Sequence, residues 1–299
     1  MNREDRHMNH KNLENYKNRE VTGRIHSIET LGALDGPGLR TVVFLQGCPM
    51  RCIYCHNPDT WDANAGRLVP VSYVMEKIKK QRNYYNDRGG ITISGGEPLL
   101  QGVFTREILK KCREAGVNTV LDTSGCGFHY SVGREAKGTD VMLDNVVEMP
   151  SGAGEKSDAA GSLPEDVEAV SYDKSAFLGE IILLCDLIIL DVKHADPEKF
   201  KEITGKGMEE FLEFIELCRK KAAPLWIRQV VVPGLNDHEE DMLKLKDLIS
   251  GLNVRKIELL PYHTHGVHKW ERLGIDYKLK DVQPASEESV KKLMSMLKN

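Results

Sequence analysis

Six short apolar segments recur along this chain of 299 residues, and they constrain its fold more than any other feature of the sequence. Each is rich in β-branched residues and nearly continuous in hydrophobicity, a pattern typical of parallel strands that are buried on both faces. Segments with the apolar spacing of amphipathic helices lie between or after them. This alternation predicts a parallel sheet with right-handed crossovers, either an open doubly wound sheet or a barrel. The predicted strands are 41–47, 90–96, 118–125, 187–193, 225–234 and 256–262, and the predicted helices are 72–85, 105–116, 208–222, 237–251 and 286–299.

Polar and reactive side chains cluster just after these predicted strands. In either architecture the carboxyl ends of parallel strands form one mouth, where ligands bind. We therefore expect an active site that is built from several loops at this mouth. The residues concerned are Cys48, Gly95–Glu97, Asp122–Gly125, Asp191–Lys193, Arg228 and His263.

The charge and hydropathy of the chain argue against several kinds of partner. The 41 Lys and Arg residues against 45 Asp and Glu residues give a formal net charge of −4, which provides no electrostatic footprint for nucleic acid or an anionic membrane. No segment approaches the roughly 20 apolar residues of a membrane span. Residues 1–20 are polar and lack the apolar core of a signal peptide, so we expect a flexible N-terminal extension and a cytoplasmic protein.

One long stretch interrupts the strand–helix order. Residues 131–172 are rich in Gly, Ser, Ala and acidic residues, and so long a loop is uncommon inside a compact domain. This composition predicts a disordered insertion. Because the strand–helix order resumes afterwards, we expect one domain over residues 21–299 rather than two.

A loop with three cysteines follows the first predicted strand. Cys48, Cys52 and Cys55 have the spacing C-x3-C-x2-C, in a chain whose odd total of seven cysteines does not suggest a disulfide framework. A structural zinc site takes four protein ligands, so here the fourth ligand would have to be a histidine from 263–268. In an iron–sulfur cluster with three thiolate ligands, one iron is left for a non-protein ligand. A catalyst that binds its substrate at the metal needs that open iron, so we favour a cluster over zinc.

This cysteine loop resembles that of the radical S-adenosylmethionine enzymes. The segment "SGGEP" (94–98) also resembles their glycine-rich motif, and adjacent glycines let a backbone approach a ligand closely. The resemblance implies a partial (β/α)6 barrel, a [4Fe–4S] cluster on Cys48, Cys52 and Cys55, and S-adenosylmethionine chelated to the open iron. It further implies that Tyr54 lies near the adenine and that Gly95, Gly96 and Glu97 hold the methionine ammonium.

Longer segments narrow the resemblance to the activases of glycyl radical enzymes, most closely to those that act on pyruvate formate-lyase. These segments include "GRIHSIETLGALDGPGLRTVVFLQGC" (23–48), "LDTSG" (121–125), "LDVK" (190–193) and "KIELLPYHTHGVHKWERLGIDYKL" (256–279), in this order. The resemblance covers nearly the whole chain apart from residues 1–20 and 131–172. Activases of other glycyl radical enzymes often carry further cysteine clusters in an added ferredoxin-like domain. No cysteine lies between Cys55 and Gly90, which favours the pyruvate formate-lyase group.

The resemblance implies a reaction and its partners. A reduced cluster cleaves S-adenosylmethionine, and the resulting 5′-deoxyadenosyl radical takes a hydrogen atom from a glycine of pyruvate formate-lyase. It implies a flavodoxin- or ferredoxin-type electron donor and no catalytic side chain beyond the cluster and the cofactor. We also expect a monomer, because no predicted strand or helix is left over for an interface.

Further residue roles follow from the same resemblance. The family positions matched here contact S-adenosylmethionine, bind a monovalent cation beside it, or meet the glycine loop of the partner. They are Asp122, Thr123, Lys193, Arg228 and His263 for the cofactor; Asp122, Thr123 and Asp191 for the cation; and Asp35, Gly36, Pro37 and Gly38 for the partner.

Two other functions stay open at this point. The chain could be a radical S-adenosylmethionine enzyme that acts on a small molecule or on a different glycyl radical enzyme. It could also be a non-catalytic iron–sulfur or zinc protein. Single residues have structural alternatives as well, since Asp191 could cap a helix, Arg228 could form a structural ion pair, and "DGPG" (35–38) is a generic turn sequence.

Overall fold

An eight-stranded sheet organises the computed structural model, which describes residues 20–128 and 173–297. The strand order is β3-β1-β2-β4-β5-β6-β7-β8. The strands are β1 (Thr22–Gly32), β2 (Arg40–Leu45), β3 (Arg67–Pro70), β4 (Gly90–Gly95), β5 (Asn118–Thr123), β6 (Leu187–Asp191), β7 (Leu225–Val231) and β8 (Val254–Pro261). The predicted insertion 131–172, and the predicted extension 1–20 apart from Glu20, lie outside the described residues.

Eight α-helices lie in the described part of the chain, and five of them correspond to predicted helices. The predicted ones are α1 (Val71–Gln81), α2 (Gly102–Glu114), α5 (Glu209–Lys220), α6 (Glu239–Leu248) and α8 (Glu287–Leu297). The patterns do not predict α3 (Lys174–Leu184), α4 (Pro197–Thr204) and α7 (Val267–Arg272). None of the described helices has the length and hydrophobicity needed to cross a membrane.

The six predicted strands are confirmed as one parallel set. β2, β4, β5, β6, β7 and β8 pair in parallel with their neighbours in that order. β1 and β3 are antiparallel additions beyond β2 that the apolar segments do not predict. β1 is mostly half-buried or exposed and its pairing with β2 shifts register twice, so it lacks the continuous apolar pattern of a buried strand.

The parallel strands form an open barrel. Residues from all six of them line one cavity, so the sheet must curve around it. The sheet does not close, because β3 and β8 are its two edges. This arrangement is the predicted partial (β/α)6 barrel, and it sets the carboxyl ends of the parallel strands around a common mouth.

Candidate cluster and cofactor site

A cavity of about 320 Å³ lies at the carboxyl ends of the parallel strands. It brings together most of the residues that the sequence marks as functional, although they come from seven separate segments of the chain. Those that line it are Asp35, Cys48, Cys52, Tyr54, Cys55, Gly95, Gly96, Asp122, Thr123, Asp191, Lys193, Arg228 and His263.

Glu97 is the predicted cofactor residue that does not line the cavity. It is fully buried, and its carboxylate accepts hydrogen bonds from the Leu99 amide (3.0 Å), the Thr123 hydroxyl (2.5 Å), and the Ser124 amide (2.9 Å) and hydroxyl (2.5 Å). Burial raises its pKa to about 7 against the opposing effect of these bonds. Glu97 therefore stabilises the loop after β5 by accepting hydrogen bonds from Thr123 and Ser124 in the core. Its contact with a methionine ammonium stays a prediction.

The segment Asp35–Gly38 is only partly at the cavity. Asp35 lines it, whereas Gly36 is buried, Pro37 is half-buried and Gly38 is exposed. Burial and then the charge of Asp122 raise the pKa of the Asp35 carboxyl. A contact of this segment with a partner protein stays a prediction.

The cysteine loop is held in place by its own backbone. The amides of Arg51 and Ile53 donate to the carbonyls of Thr204 (2.8 Å) and Ile203 (3.0 Å) in the last turn of α4. The Arg51 guanidinium then folds back and donates to the Cys48 carbonyl at 2.7 Å. Because these bonds fix the chain on both sides of Cys52, the spacing of the thiols is set by the fold.

Two tryptophans that the sequence motifs do not single out contact Cys55. The Trp61 indole N–H donates to its sulfur, and Trp270 Nε1 donates to its carbonyl at 2.8 Å. The two rings meet edge to face, with their centroids 5.0 Å apart. Trp61 follows the cysteine loop closely enough to be suspected from sequence, but nothing in the sequence connects Trp270 to Cys55 across 215 positions.

The thiols suit a cluster better than a single metal ion. Burial raises the pKa of all three, to about 12 for Cys52, so they are neutral thiols unless a bound cation deprotonates them. A structural zinc ion takes four protein ligands, whereas the loop supplies three cysteines. A cubane instead takes each cysteine on a different iron, which spreads the sulfurs around a volume. The donor set therefore fits a [4Fe–4S] cluster.

Opposite charges face each other across the cavity wall. The Arg228 guanidinium bridges Asp191 and Asp122 at 2.5 Å each, and Lys193 Nζ lies 3.0 Å from Asp191. Burial alone would raise the pKa of Asp191. The charges of Arg228 and Lys193 outweigh burial and hold that pKa well below its usual range. The structure places Asp122, Asp191 and Thr123 together as predicted for a cation site, and a cation there stays a prediction.

Two glycines let two backbone segments meet at the cavity. A Cβ on Gly95, whose φ is +116°, would lie 2.2 Å from the amide nitrogen of Leu45, and a Cβ on Gly96 would lie 2.1 Å from the carbonyl of Gly47. The Gly96 amide donates to the Leu45 carbonyl at 2.9 Å. No other residue type fits at these two positions, so the backbone itself forms this wall.

Two further groups have polar atoms at the site. Tyr54 lines the cavity, and its buried hydroxyl has no hydrogen-bond partner in the described part of the chain. At the mouth, His263 Nδ1 lies 3.1 Å from His56 Nε2. Burial, and then the neighbouring His263, lower the pKa of His56 to about 4, so this pair is neutral near pH 7.

The chain matches known proteins over most of its length. A family model described as a 4Fe-4S single cluster domain matches residues 34–155. A pyruvate formate-lyase-activating enzyme of Clostridium pasteurianum is 40% identical over 280 residues, which cover 93% of this chain and 98% of that protein. The chain belongs to the family of pyruvate formate-lyase-activating enzymes. One from Staphylococcus epidermidis is 39% identical over 275 residues, or 91% of this chain and 93% of its own.

Solved structures agree with this family at the level of the fold. A radical SAM methyltransferase from Sphaerobacter thermophilus has a TM-score of 0.53 at 13% identity, over 87% of this chain and 63% of that one. Streptococcus suis SuiB bound to S-adenosylmethionine has a TM-score of 0.51 at 13% identity, over 85% and 45%. The family membership confirms that the chain is an enzyme, and the matched family model confirms the cluster predicted from the cysteine loop.

Proposed function

We propose that the chain activates pyruvate formate-lyase by creating a glycyl radical on it. The observation that carries the proposal is the cavity, where three cysteine thiols, two glycine backbones and paired charges meet in a chain of the activating-enzyme family. When bound, the cluster and S-adenosylmethionine supply the one-electron cleavage that gives methionine and a 5′-deoxyadenosyl radical, which takes a hydrogen atom from a glycine of the lyase. The chain itself binds, orients and shields these groups.

Cys48, Cys52 and Cys55 would hold three irons of the cluster. The hydrogen bonds of the cysteine loop fix its backbone, and Trp61 donates to the Cys55 sulfur. Hydrogen bonds to cluster sulfurs raise the reduction potential, so Trp61 tunes how readily the cluster accepts an electron. The fourth iron is left for the cofactor.

The charged wall suits the methionine half of S-adenosylmethionine, which carries an ammonium and a carboxylate. Asp122 and Asp191 can face the ammonium or a cation beside the carboxylate, and Arg228 and Lys193 can face the carboxylate itself. The backbones of Gly95 and Gly96 complete this wall because no Cβ stands in front of them.

The rest of the wall is suited to a radical reaction. Apolar side chains line the cavity between the cysteine loop and β8, and a site without water keeps a reactive intermediate from side reactions. The unpartnered Tyr54 hydroxyl and the neutral His263 add polar atoms near the place where an adenine would lie. The apolar lining residues are Phe44, Met50, Trp61, Val230, Leu260 and Tyr262.

The partners follow from the reaction. The protein substrate is pyruvate formate-lyase, which meets Asp35–Gly38 at the open side of the barrel. The electron comes from a flavodoxin- or ferredoxin-type donor, and the enzyme acts as a cytoplasmic monomer.

An activation assay tests this function. The protein is reconstituted anaerobically with iron and sulfide, then mixed with S-adenosylmethionine, a chemical reductant and inactive pyruvate formate-lyase. We expect 5′-deoxyadenosine to form and the lyase to gain activity in step with it. Formation of 5′-deoxyadenosine without lyase activity would point to a different glycyl radical enzyme, and no cleavage by a cluster-loaded sample would refute the proposal.

A further inference from the structure

The guanidinium of Arg40 is completely buried inside the barrel. Arg40 begins β2, and its side chain is on the same face of the strand as Phe44, which lines the cavity. None of the ion pairs among residues 20–128 and 173–297 includes it. A buried arginine without a carboxylate partner is costly, and burial lowers the pKa of Arg40 to about 10. A buried charge kept at such a cost calls for an explanation.

All five N–H donors of Arg40 are nevertheless used. Nε donates to the Thr92 hydroxyl at 2.7 Å, and Nη1 donates to the carbonyls of Pro37 (2.7 Å) and Arg88 (3.1 Å). Nη2 donates to the Ile91 carbonyl at 2.6 Å and to Asn118. A guanidinium is planar and carries five N–H donors in fixed directions, so it can donate to several carbonyls at once.

Two of these bonds converge on the segment Asp35–Gly38. Nη1 holds the Pro37 carbonyl directly. The Thr92 hydroxyl, which accepts from Nε, donates in turn to the Asp35 carbonyl at 2.6 Å. The carbonyls on both sides of Gly36 are therefore held through Arg40, one directly and the other by way of Thr92.

The glycines of the segment fit closely around the same group. A Cβ on Gly36, whose φ is +128°, would lie 3.1 Å from Arg40 Cδ, and one on Gly38 would lie 2.6 Å from the Gly89 amide nitrogen. The segment thus packs against Arg40 and the turn before β4 with no room for side chains. Asp35 lines the cavity, whereas Gly36 behind it is buried and Gly38 at the end of the segment is exposed.

We propose that Arg40 is a positioning residue, which acts through Thr92 and the Pro37 carbonyl to hold Asp35 toward the cavity for contact with the protein substrate. This inference rests on the proposed function, because it assigns a partner role to Asp35. It explains why the barrel keeps a buried charge that pairs directly with no carboxylate among the described residues, where an apolar side chain would cost less. Among the described residues, Arg40 forms no hydrogen bond with the cluster cysteines or with the charged cofactor wall, so we expect its effect on capture of the partner rather than on cleavage.

The test compares variants that break this chain of bonds with one that keeps it. Arg40→Lys keeps the charge but cannot reach Thr92 and Pro37 together, and Thr92→Val keeps the volume but loses the hydroxyl. Thr92→Ser retains the hydroxyl and is the matched control. All three are reconstituted and compared with the wild-type enzyme for 5′-deoxyadenosine formation without partner, with a chemical reductant, and for the KM of pyruvate formate-lyase.

We expect partner-free cleavage to stay within about twofold of wild type in all three variants. The KM for pyruvate formate-lyase should rise about tenfold or more in Arg40→Lys and Thr92→Val, which each lose a charge-assisted hydrogen bond in the chain, and should stay near wild type in Thr92→Ser. The double variant Arg40→Lys/Thr92→Val should be no worse than either single variant, because both act through one segment.

Three outcomes would overturn the inference. The first is an unchanged KM in folded Arg40→Lys and Thr92→Val, which would make Arg40 structural only. The second is an equal loss of partner-free cleavage, which would place its effect on the cofactor. The third is additivity in the double variant. If Arg40→Lys does not fold, the comparison of Thr92→Val with Thr92→Ser decides alone. Failure of the wild-type enzyme to cleave S-adenosylmethionine would instead count against the proposed function.

Discussion

Replacement of Gly95 by alanine should damage both the fold and the site. The backbone at Gly95 has a φ of +116°, which costs an L-residue about 1–3 kcal/mol. The new Cβ would also lie 2.2 Å from the Leu45 amide nitrogen and 2.5 Å from its carbonyl, inside the β2–β4 pairing. Because these neighbours are backbone atoms, β2 must move by about 1 Å, which weakens the 2.9 Å bond from Gly96 to Leu45 and disturbs a fully buried side chain.

The chain offers a matched control in Gly274. Its φ is +67°, and a Cβ there would meet no atom within 4 Å. Gly274→Ala should therefore lower the free energy of unfolding by only about 1 kcal/mol. This value is the penalty for alanine in a left-handed conformation minus the gain from a less flexible unfolded chain. Gly95→Ala adds the displacement of a strand, so we expect about 3–6 kcal/mol in total, a large part of a typical stability.

Urea unfolding followed by circular dichroism measures both variants against wild type. We expect Gly95→Ala to unfold at a clearly lower urea concentration than Gly274→Ala and to form no 5′-deoxyadenosine. A Gly95→Ala enzyme as stable and as active as Gly274→Ala would refute the reasoning, since it would show that the two backbones do not meet there.

Three further changes test separate parts of the site. Cys52→Ala should abolish 5′-deoxyadenosine formation and lower the bound iron while the circular dichroism spectrum is retained, because the barrel does not depend on the thiol. Arg228→Lys should raise the KM for S-adenosylmethionine about tenfold or more, because an ammonium lacks the planar set of N–H donors with which the guanidinium contacts Asp191 through Nε and Asp122 through Nη2. Trp61→Phe should lower the cluster's reduction potential by on the order of 40 mV, the equivalent of a hydrogen bond of about 1 kcal/mol for one electron.

Two controls make these results specific. Arg106 is as buried as Arg228 and also contacts two acids, Glu107 and Glu180, but lies outside the cavity, so Arg106→Lys should leave the KM unchanged. Trp270 donates to a carbonyl rather than to a sulfur, so Trp270→Phe should shift the potential less than Trp61→Phe. Equal shifts for the two tryptophans would contradict the role given to the sulfur hydrogen bond.

The parallel strands could be predicted because burial on both faces requires a nearly continuous run of apolar residues in the sequence. The segment 118–125, for example, contains β5 and places Asp122 at the end of the strand. Helix α3 could not be predicted in the same way. Its apolar residues, which include the exposed Leu183, are spread around the helix, and it contacts both α2 and α5, so it has no amphipathic period to detect. β1 is missed for the opposite reason, since only two of its residues are buried.

The site was predictable to the extent that its residues follow strand ends. That rule brings Cys48, Asp122 and Arg228 to one cavity without any knowledge of side-chain directions. It does not predict that Glu97 turns away into the core, because its direction is set by the donors of a different loop. The role of Arg40 is equally hidden, since its bonds depend on how three separate turns meet inside the barrel.

An electron paramagnetic resonance spectrum tests the central claim most directly. The reconstituted enzyme, a reductant, S-adenosylmethionine and pyruvate formate-lyase are mixed without oxygen and frozen, with parallel samples that omit each component in turn. We expect a glycine-centred doublet in the complete mixture alone. A cluster-loaded enzyme that cleaves S-adenosylmethionine but gives no such doublet would contradict the claim that this chain activates pyruvate formate-lyase.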